Sequence, residues 1–179
     1  PQRFDELNIG TPEVILGAMN SVGCIFALFA NIIFGALSDI TRSRFGKRTP
    51  WIVAGGFVTA AGYVLAFSSA SLAGIMAGWS IVQVGVNMMI APAVAVLSDR
   101  IPENVRGTFS SFYGGAMIVG QSAGTFLGSK FIDTMGVGFV IGAVLFAITG
   151  ILTIIIWPAE RSSKVGSAAD DTKANVKLS

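Results

Sequence analysis

The run TPWIVAGGFVTAAGYVLAFSSASLAGIMAGWSIVQVGVNMMIAPAVAVLS occupies residues 49–98 and contains no Asp, Glu, Lys or Arg. A transmembrane helix needs about 20 predominantly apolar residues to cross a hydrocarbon core about 30 Å thick, so this run is long enough for two crossings. Its midpoint, at residues 68–71, is Ser-Ser-Ala-Ser, which is small and polar enough for a tight turn. The run therefore predicts two spans, at about 51–67 and 72–97.

Three further windows without charge cover residues 14–38, 107–129 and 134–159. Apolar side chains run all round these segments, for example at 25–30 and 150–157, whereas surface helices of a soluble domain carry a polar face at helical period. Buried core helices of a soluble protein are therefore the weaker alternative. We expect an all-α integral membrane protein with five transmembrane helices, at about 14–38, 51–67, 72–97, 107–129 and 136–157. The rest comprises an outer segment at 1–13 and a flexible polar segment at 162–179, which is either a cytoplasmic tail or the start of a central loop joining two halves.

The composition excludes several classes of protein. Only 12% of the 179 residues are charged, against about 25% in an average soluble domain. The net charge of +2 does not indicate binding to nucleic acid. Histidine is absent and Cys24 is the single cysteine, which removes the usual zinc sites, disulfides within the chain, and Ser-His or Cys-His catalysis. We therefore expect no enzyme, catalytic residue, metal or cofactor.

The positions of Lys and Arg predict the orientation in a cell membrane, because short loops rich in these residues stay on the cytoplasmic side. Most of them follow the first, third and fifth spans, whereas the other side has only Arg3 and Lys130. Residues 1–13 are then outside and the tail is cytoplasmic. An odd number of spans, an outer N-terminus and no initiator Met together predict one missing helix ahead of Pro1. The residues that follow those spans are Arg42, Arg44, Lys47, Arg48, Arg100, Arg106, Arg161 and Lys164.

The loop after the first span reads GALSDITRSRFGKRTPW over residues 35–51. It resembles the best-known motif of the major facilitator superfamily of secondary transporters, which is Gly-x-x-x-Asp, then a basic residue, x, Gly and two basic residues. Four extra residues follow the aspartate. That longer form is similar to the sucrose and glycoside-pentoside-hexuronide symporter branches. The matching residues are Gly35, Asp39, Arg44, Gly46, Lys47 and Arg48.

Two further motifs follow in order. The segment from Asp99 to Gly107, with Arg106 before the glycine, resembles the sugar-porter pattern between helices four and five. Trp157-Pro158-Ala159-Glu160-Arg161 is similar, less regularly, to the Pro-Glu signature after helix six. The resemblance covers about residues 12–161. It implies that the five spans are helices two to six of a six-helix first half, whose partners are the missing first helix, a second six-helix half, the lipid bilayer and a small-molecule substrate.

A cytoplasmic gate is expected where these charges meet. Asp39 ends a helix, where the macrodipole disfavours a negative charge by about 0.3 to 1 kcal/mol, so it requires a partner such as Arg48 or Arg106. The alternative for the basic residues is that they serve only to keep this loop on the cytoplasmic side. By resemblance, Asp39 also caps a helix of the second half, and Gly35 permits that approach. The predicted gate consists of Gly35, Asp39, Arg44, Gly46, Lys47, Arg48, Asp99, Arg106 and Glu160.

Polar residues within the spans are candidates for the substrate path, because they are costly in a bilayer. The best candidates are Asn20, Gln83 and Asn87, with hydrogen bonding between helices as an equally weighted alternative. None of the five predicted spans contains Asp, Glu, Lys or Arg, which counts against cation coupling by these helices.

The expected function is secondary active or facilitative transport of a small solute, such as a sugar or related organic compound, by alternating access. A membrane scaffold or sensor that keeps the transporter fold without transporting is the alternative. An intramembrane enzyme is a third reading, and the spans lack an acid, base or metal set for it.

Overall fold

A computed structural model describes residues 11–43, 45–131 and 134–156, which form five helices and no strand. They are α1 (Pro12–Ile40), α2 (Thr49–Ser68), α3 (Leu72–Arg100), α4 (Glu103–Lys130) and α5 (Met135–Ile156). The prediction of an all-α protein is confirmed. Each predicted span lies within the bounds of one helix, except that residue 157 lies outside the described residues. Most of the predicted outer segment, to residue 10, and the whole predicted tail lie outside them too.

The helix boundaries follow local sequence signals. Pro12 and Pro50 stand in the first turns of α1 and α2, where the missing N–H of proline has no intrahelical partner to lose. The serine-rich midpoint of the long run separates α2 from α3. There the N–H and the hydroxyl of Ser69 both donate to the carbonyl oxygen of Leu65, at 3.1 and 2.7 Å, and close the last turn of α2. These side chains compete with the helix for backbone groups and so end it.

In the part of the chain that the structure describes, four helices are long and apolar enough to cross a membrane by length and composition: α1, α2, α3 and α5. Helix α4 is not in that group, because glycine, serine and threonine occupy much of its length. It has no buried residue, and a Cβ built on Gly120, Gly124 or Gly128 meets no atom within 4 Å in the described part of the chain. The span at 107–129 therefore stays a prediction.

Helix α2 lies between α3 and α5 and approaches both through glycine. A Cβ built on Gly85 of α3 would lie 2.5 Å from the backbone nitrogen of Thr59, whose side chain is completely buried. On the other side, a Cβ on Gly56 would lie 2.7 Å from the carbonyl oxygen of Phe146 in α5. Small residues that allow backbones to approach this closely are typical of helix packing in membranes. These contacts fix α3 and α5 against α2.

The change Gly85→Ala tests this packing. The added methyl group has no room against Thr59, so we expect the free energy of unfolding to fall by about 1 to 3 kcal/mol, as for other overpacked cores. Thermal unfolding of the purified protein in detergent measures the loss. Gly17→Ala is the matched control, because a Cβ built on Gly17 meets no atom within 4 Å among the described residues. Equal melting temperatures for the two variants would contradict the packing described above.

Candidate functional site

The loop between α1 and α2 folds back so that its last residue, Arg48, lies against the end of α1. Gly46 makes this bend with a φ of 97°, in the left-handed region that favours glycine. Arg48 is the N-cap residue of α2 and is only 3% exposed. A buried guanidinium requires partners, because an unpaired charge is very costly away from water.

Those partners come from two different helices. Arg48 donates from Nε and Nη2 to Oδ2 of Asp99 in α3, at 3.1 and 2.6 Å. Nη2 also donates to Oδ1 of Asp39 in α1 at 2.9 Å, and Nη1 donates to the buried hydroxyl of Ser38 at 3.4 Å. Charge-assisted bonds of this kind are about twice as strong as neutral ones. One buried arginine thus connects the ends of α1 and α3.

Lys47 adds a second positive charge, with Nζ 3.4 Å from Oδ2 of Asp99. Burial raises the pKa of Asp99, but hydrogen bonds and charge from Arg48 and then Lys47 lower it more, so the net pKa lies below its ordinary value of 3.8. The stabilisation is therefore present above the ordinary pKa and is lost as the pH falls through the lowered one. We call Ser38, Asp39, Lys47, Arg48 and Asp99 the Arg48 cluster.

The structure brings only part of the predicted gate into this cluster. Gly35 lies one turn before Asp39, and a Cβ built on it would be 4.0 Å from Cβ of Ala91, which is ordinary contact. Arg106, predicted as a partner of Asp39, donates from Nη2 to the carbonyl oxygen of Ile101 at 3.3 Å. Arg44 and Glu160 lie outside the described residues.

Three residues at this site were not predicted from the sequence: Ser38, Thr41 and Trp51. The Nε1 of Trp51 donates to Oγ1 of Thr41 at 2.7 Å, and the Thr41 hydroxyl donates to the carbonyl oxygen of Leu37 at 2.6 Å. Their positions beside Asp39 and Arg48 in the sequence were the available signal. Side chains that follow a helix end within a few residues commonly bond the last turn.

Two of the predicted substrate-path residues, Gln83 and Asn87, lie where α3 faces α1. Asn31 Nδ2 donates to Asn87 Oδ1 at 3.4 Å, and Asn87 Nδ2 donates to the carbonyl oxygen of Gln83 at 2.9 Å. Both polar atoms of the Asn87 amide are therefore engaged within the protein. The interhelical hydrogen bond that was the alternative for this residue is present.

Asn20 and Gln83 differ from Asn87. Asn20 is exposed on α1, and Gln83 is half-buried on α3. A Cβ built on Gly23 would lie 3.2 Å from Cγ of Gln83 and 3.1 Å from Nε1 of Trp79. The indole N–H of Trp79 is buried and has no hydrogen-bond partner among the described residues. This part of the α1–α3 contact thus gathers polar groups around a glycine.

Known proteins resemble the chain over most of its length. The family model described as Major Facilitator Superfamily matches residues 4–178. The inner membrane transport protein YajR of Escherichia coli is 31% identical over 155 residues, which is 86% of this chain and 32% of YajR. The uncharacterized symporter sll1374 of Synechocystis is 44% identical over 46 residues, or 26% of this chain and 8% of that protein. No solved structure is significantly similar.

The chain therefore spans about a third of the length of YajR and matches a smaller share of the symporter. The family match covers all five helices, including α4. Together with the apolar helices, it identifies a multi-pass membrane protein, and the chain belongs to the major facilitator superfamily.

Proposed function

We propose that the chain is part of a transporter that moves a small solute by alternating access, and that the Arg48 cluster is its cytoplasmic gate. The family and the two relatives support membrane transport of a small solute. The observation that carries the gate is the buried Arg48 held by carboxylates of two helices. The remaining helices, a first one and a second half, are supplied by the rest of the protein. No covalent chemistry is part of this proposal.

The cluster is suited to switching because its parts are held unequally. Asp99 accepts two bonds from Arg48 and contacts Lys47, whereas Asp39 accepts one bond and its side chain is 58% exposed. Asp39 thus keeps carboxylate oxygen surface for a partner from the other half in one conformation. Alternating contacts of this kind at helix ends are a known means of switching between two arrangements.

Positive-inside orientation supports a place in the cell membrane with the loop at 41–48 cytoplasmic. Substitution of a gate residue is then expected to change the transport rate but not the insertion of the protein into the membrane. This result would distinguish a gate from residues that only orient the protein by their charge.

The proposed solute is a sugar or related compound, for which amides are suitable partners. An amide both donates and accepts hydrogen bonds, as a hydroxyl group does. Asn20 is exposed and Gln83 is half-buried, so their amides are the better candidates for contact with solute. Asn87 is bonded to Asn31 and to the Gln83 carbonyl, which supports a packing role there.

Uptake by the full-length gene product in proteoliposomes tests the proposal. The panel contains radiolabelled sucrose, lactose, glucose and glucuronate, with protein-free liposomes as the control. Time-dependent uptake of at least one compound above the control is the expected result. Absence of uptake for every compound, with the protein correctly inserted and monodisperse, would favour the scaffold or sensor alternative.

Two substitutions separate substrate contact from packing. Gln83→Leu removes a candidate contact, so we expect the KM of the transported compound to rise about twofold to tenfold, as for loss of one neutral hydrogen bond. Asn87→Leu should instead reduce the free energy of unfolding, by about 0.6 to 2 kcal/mol for an interhelical bond. Uptake kinetics and thermal unfolding of both variants measure the two effects. If both variants showed both a higher KM and a lower free energy of unfolding, the assignment of substrate contact to Gln83 and packing to Asn87 would be refuted.

A further inference from the structure

We propose that Trp51 is a positioning residue for the proposed gate, whose indole N–H, held by Thr41, sets the first turn of α2 so that Arg48 lies between Asp39 and Asp99. The inference rests on the proposed function for its consequence in transport, but its geometry stands on the structure alone.

Trp51 contacts α1 at two places. Its Nε1 donates to Oγ1 of Thr41 at 2.7 Å. Its ring lies 5.4 Å from the ring of Phe34, centroid to centroid, at an interplanar angle of 49°. Phe34 and Thr41 are seven residues apart and so lie two turns apart on nearly the same side of the helix end. The aromatic ring therefore lies along the last two turns of α1.

The Thr41 hydroxyl is oriented to receive the indole. Its hydrogen is directed to the carbonyl oxygen of Leu37 at 2.6 Å, which leaves an oxygen lone pair for the indole N–H. The backbone N–H of Thr41 donates to the same carbonyl at 3.1 Å and ends α1. The end of α1 and the start of α2 are thus joined by a continuous set of hydrogen bonds.

Arg48 is connected to Trp51 through the backbone of this first turn. The carbonyl oxygen of Arg48 accepts from the N–H of Trp51 at 3.1 Å and from that of Ile52 at 3.3 Å. A rotation of the first turn of α2 therefore moves Arg48 with it. The bonds to Asp99 at 2.6 Å and to Asp39 at 2.9 Å weaken steeply with distance and angle, so a small displacement removes them.

Limited proteolysis measures this positioning without reference to transport. Trypsin cleaves after Arg48 only when the loop opens, and in that regime cleavage reports the open population. In the full-length protein in detergent, we expect cleavage between Arg48 and Thr49 to be faster by about threefold to tenfold in Trp51→Phe and Thr41→Val, as for loss of one hydrogen bond. Trp51→Phe keeps a six-membered ring for Phe34 but loses the pyrrole part of the indole with its N–H, whereas Thr41→Val removes the acceptor and leaves the indole intact. Thr41→Ser keeps the hydroxyl and should be cleaved at the wild-type rate.

Epistasis with Asp99 separates positioning from general packing. In Trp51→Phe, the uptake rate should fall by about the same threefold to tenfold factor by which cleavage rises. The double variant Trp51→Phe/Asp99→Asn should transport no more slowly than Asp99→Asn alone, because both substitutions act through Arg48. Additive losses in the double variant, or wild-type cleavage in both Trp51→Phe and Thr41→Val, would overturn the inference. Faster cleavage in a protein that transports none of the four panel compounds would uphold the positioning and count against the proposed function alone.

Discussion

Replacing Arg48 by methionine is expected to destabilise the protein by about 1.5 to 3 kcal/mol, the range found for hydrogen bonds that involve a charged group. Methionine fills similar space but donates nothing to Asp39, Asp99 or Ser38, which Arg48 contacts. Asp39 then loses its pair with Arg48, and Asp99 keeps the pair with Lys47 at 3.4 Å. Thermal unfolding in detergent and the yield of monodisperse protein measure the effect.

Lys47→Met is the matched control for Arg48→Met, since it makes the same kind of change one residue earlier. The Lys47 side chain is 38% exposed and pairs with Asp99 at 3.4 Å. Exposed pairs contribute about 0 to 1 kcal/mol, so this variant should stay close to wild type. Similar losses of unfolding free energy in the two variants would mean that the burial of Arg48 does not determine how much it contributes to stability. Adding Asp39→Asn and Asp99→Asn to Arg48→Met should recover part of the stability, because the uncompensated charge is removed.

Asp39→Asn is expected to reduce uptake by about tenfold or more while leaving insertion and thermal stability almost unchanged. The side chain of Asp39 is 58% exposed, so its pair with Arg48 adds little to stability at 2.9 Å. In the proposed gate, however, Asp39 is the group that exchanges partners, and asparagine lacks the charge for either of them. A tenfold change in rate corresponds to about 1.4 kcal/mol in the barrier. Initial uptake rates, normalised to inserted protein, measure it.

Glu103→Gln controls for the loss of a negative charge near the same helix ends, because Glu103 is exposed in the first turn of α4. It should transport at the wild-type rate. A wild-type rate for Asp39→Asn as well would exclude Asp39 from the gate and leave the basic loop with orientation as its role.

The helices were predictable because charged side chains are costly in a bilayer, so membrane spans appear in the sequence as long segments without charge. The break at residues 68–71 was equally readable, since serine there bonds the backbone locally. Helix α4 shows the limit of this reasoning: absence of charge at 107–129 predicted a span, but its polar and small residues leave it outside the group of strongly apolar helices.

At the Arg48 cluster, sequence reasoning named Arg48, Asp39 and Asp99 as gate candidates, and the structure brings these three side chains together. Both Arg48 and Arg106 were candidate partners for Asp39, and charge alone does not distinguish them. The distinction depends on the bend at Gly46, which carries Arg48 back to the end of α1. Thr41 and Trp51 were missed because the chain brings them together only through that fold. Asn87 could not be assigned because its partner, Asn31, is on another helix.

The glycine contacts of α2 also imply an order of assembly during synthesis. The α2–α3 pair joins neighbouring segments, so it can form as soon as α3 enters the bilayer, whereas α5 reaches α2 only after the whole of α4 has been made. Helix α4 must therefore leave the translocation machinery before the segment that completes the packing around α2 has been translated. Its many glycine, serine and threonine residues make it the least apolar of the five helices at that stage. If the predicted span at 107–129 is correct, we expect its insertion to depend more than that of the other helices on neighbouring segments of the chain or on an insertase.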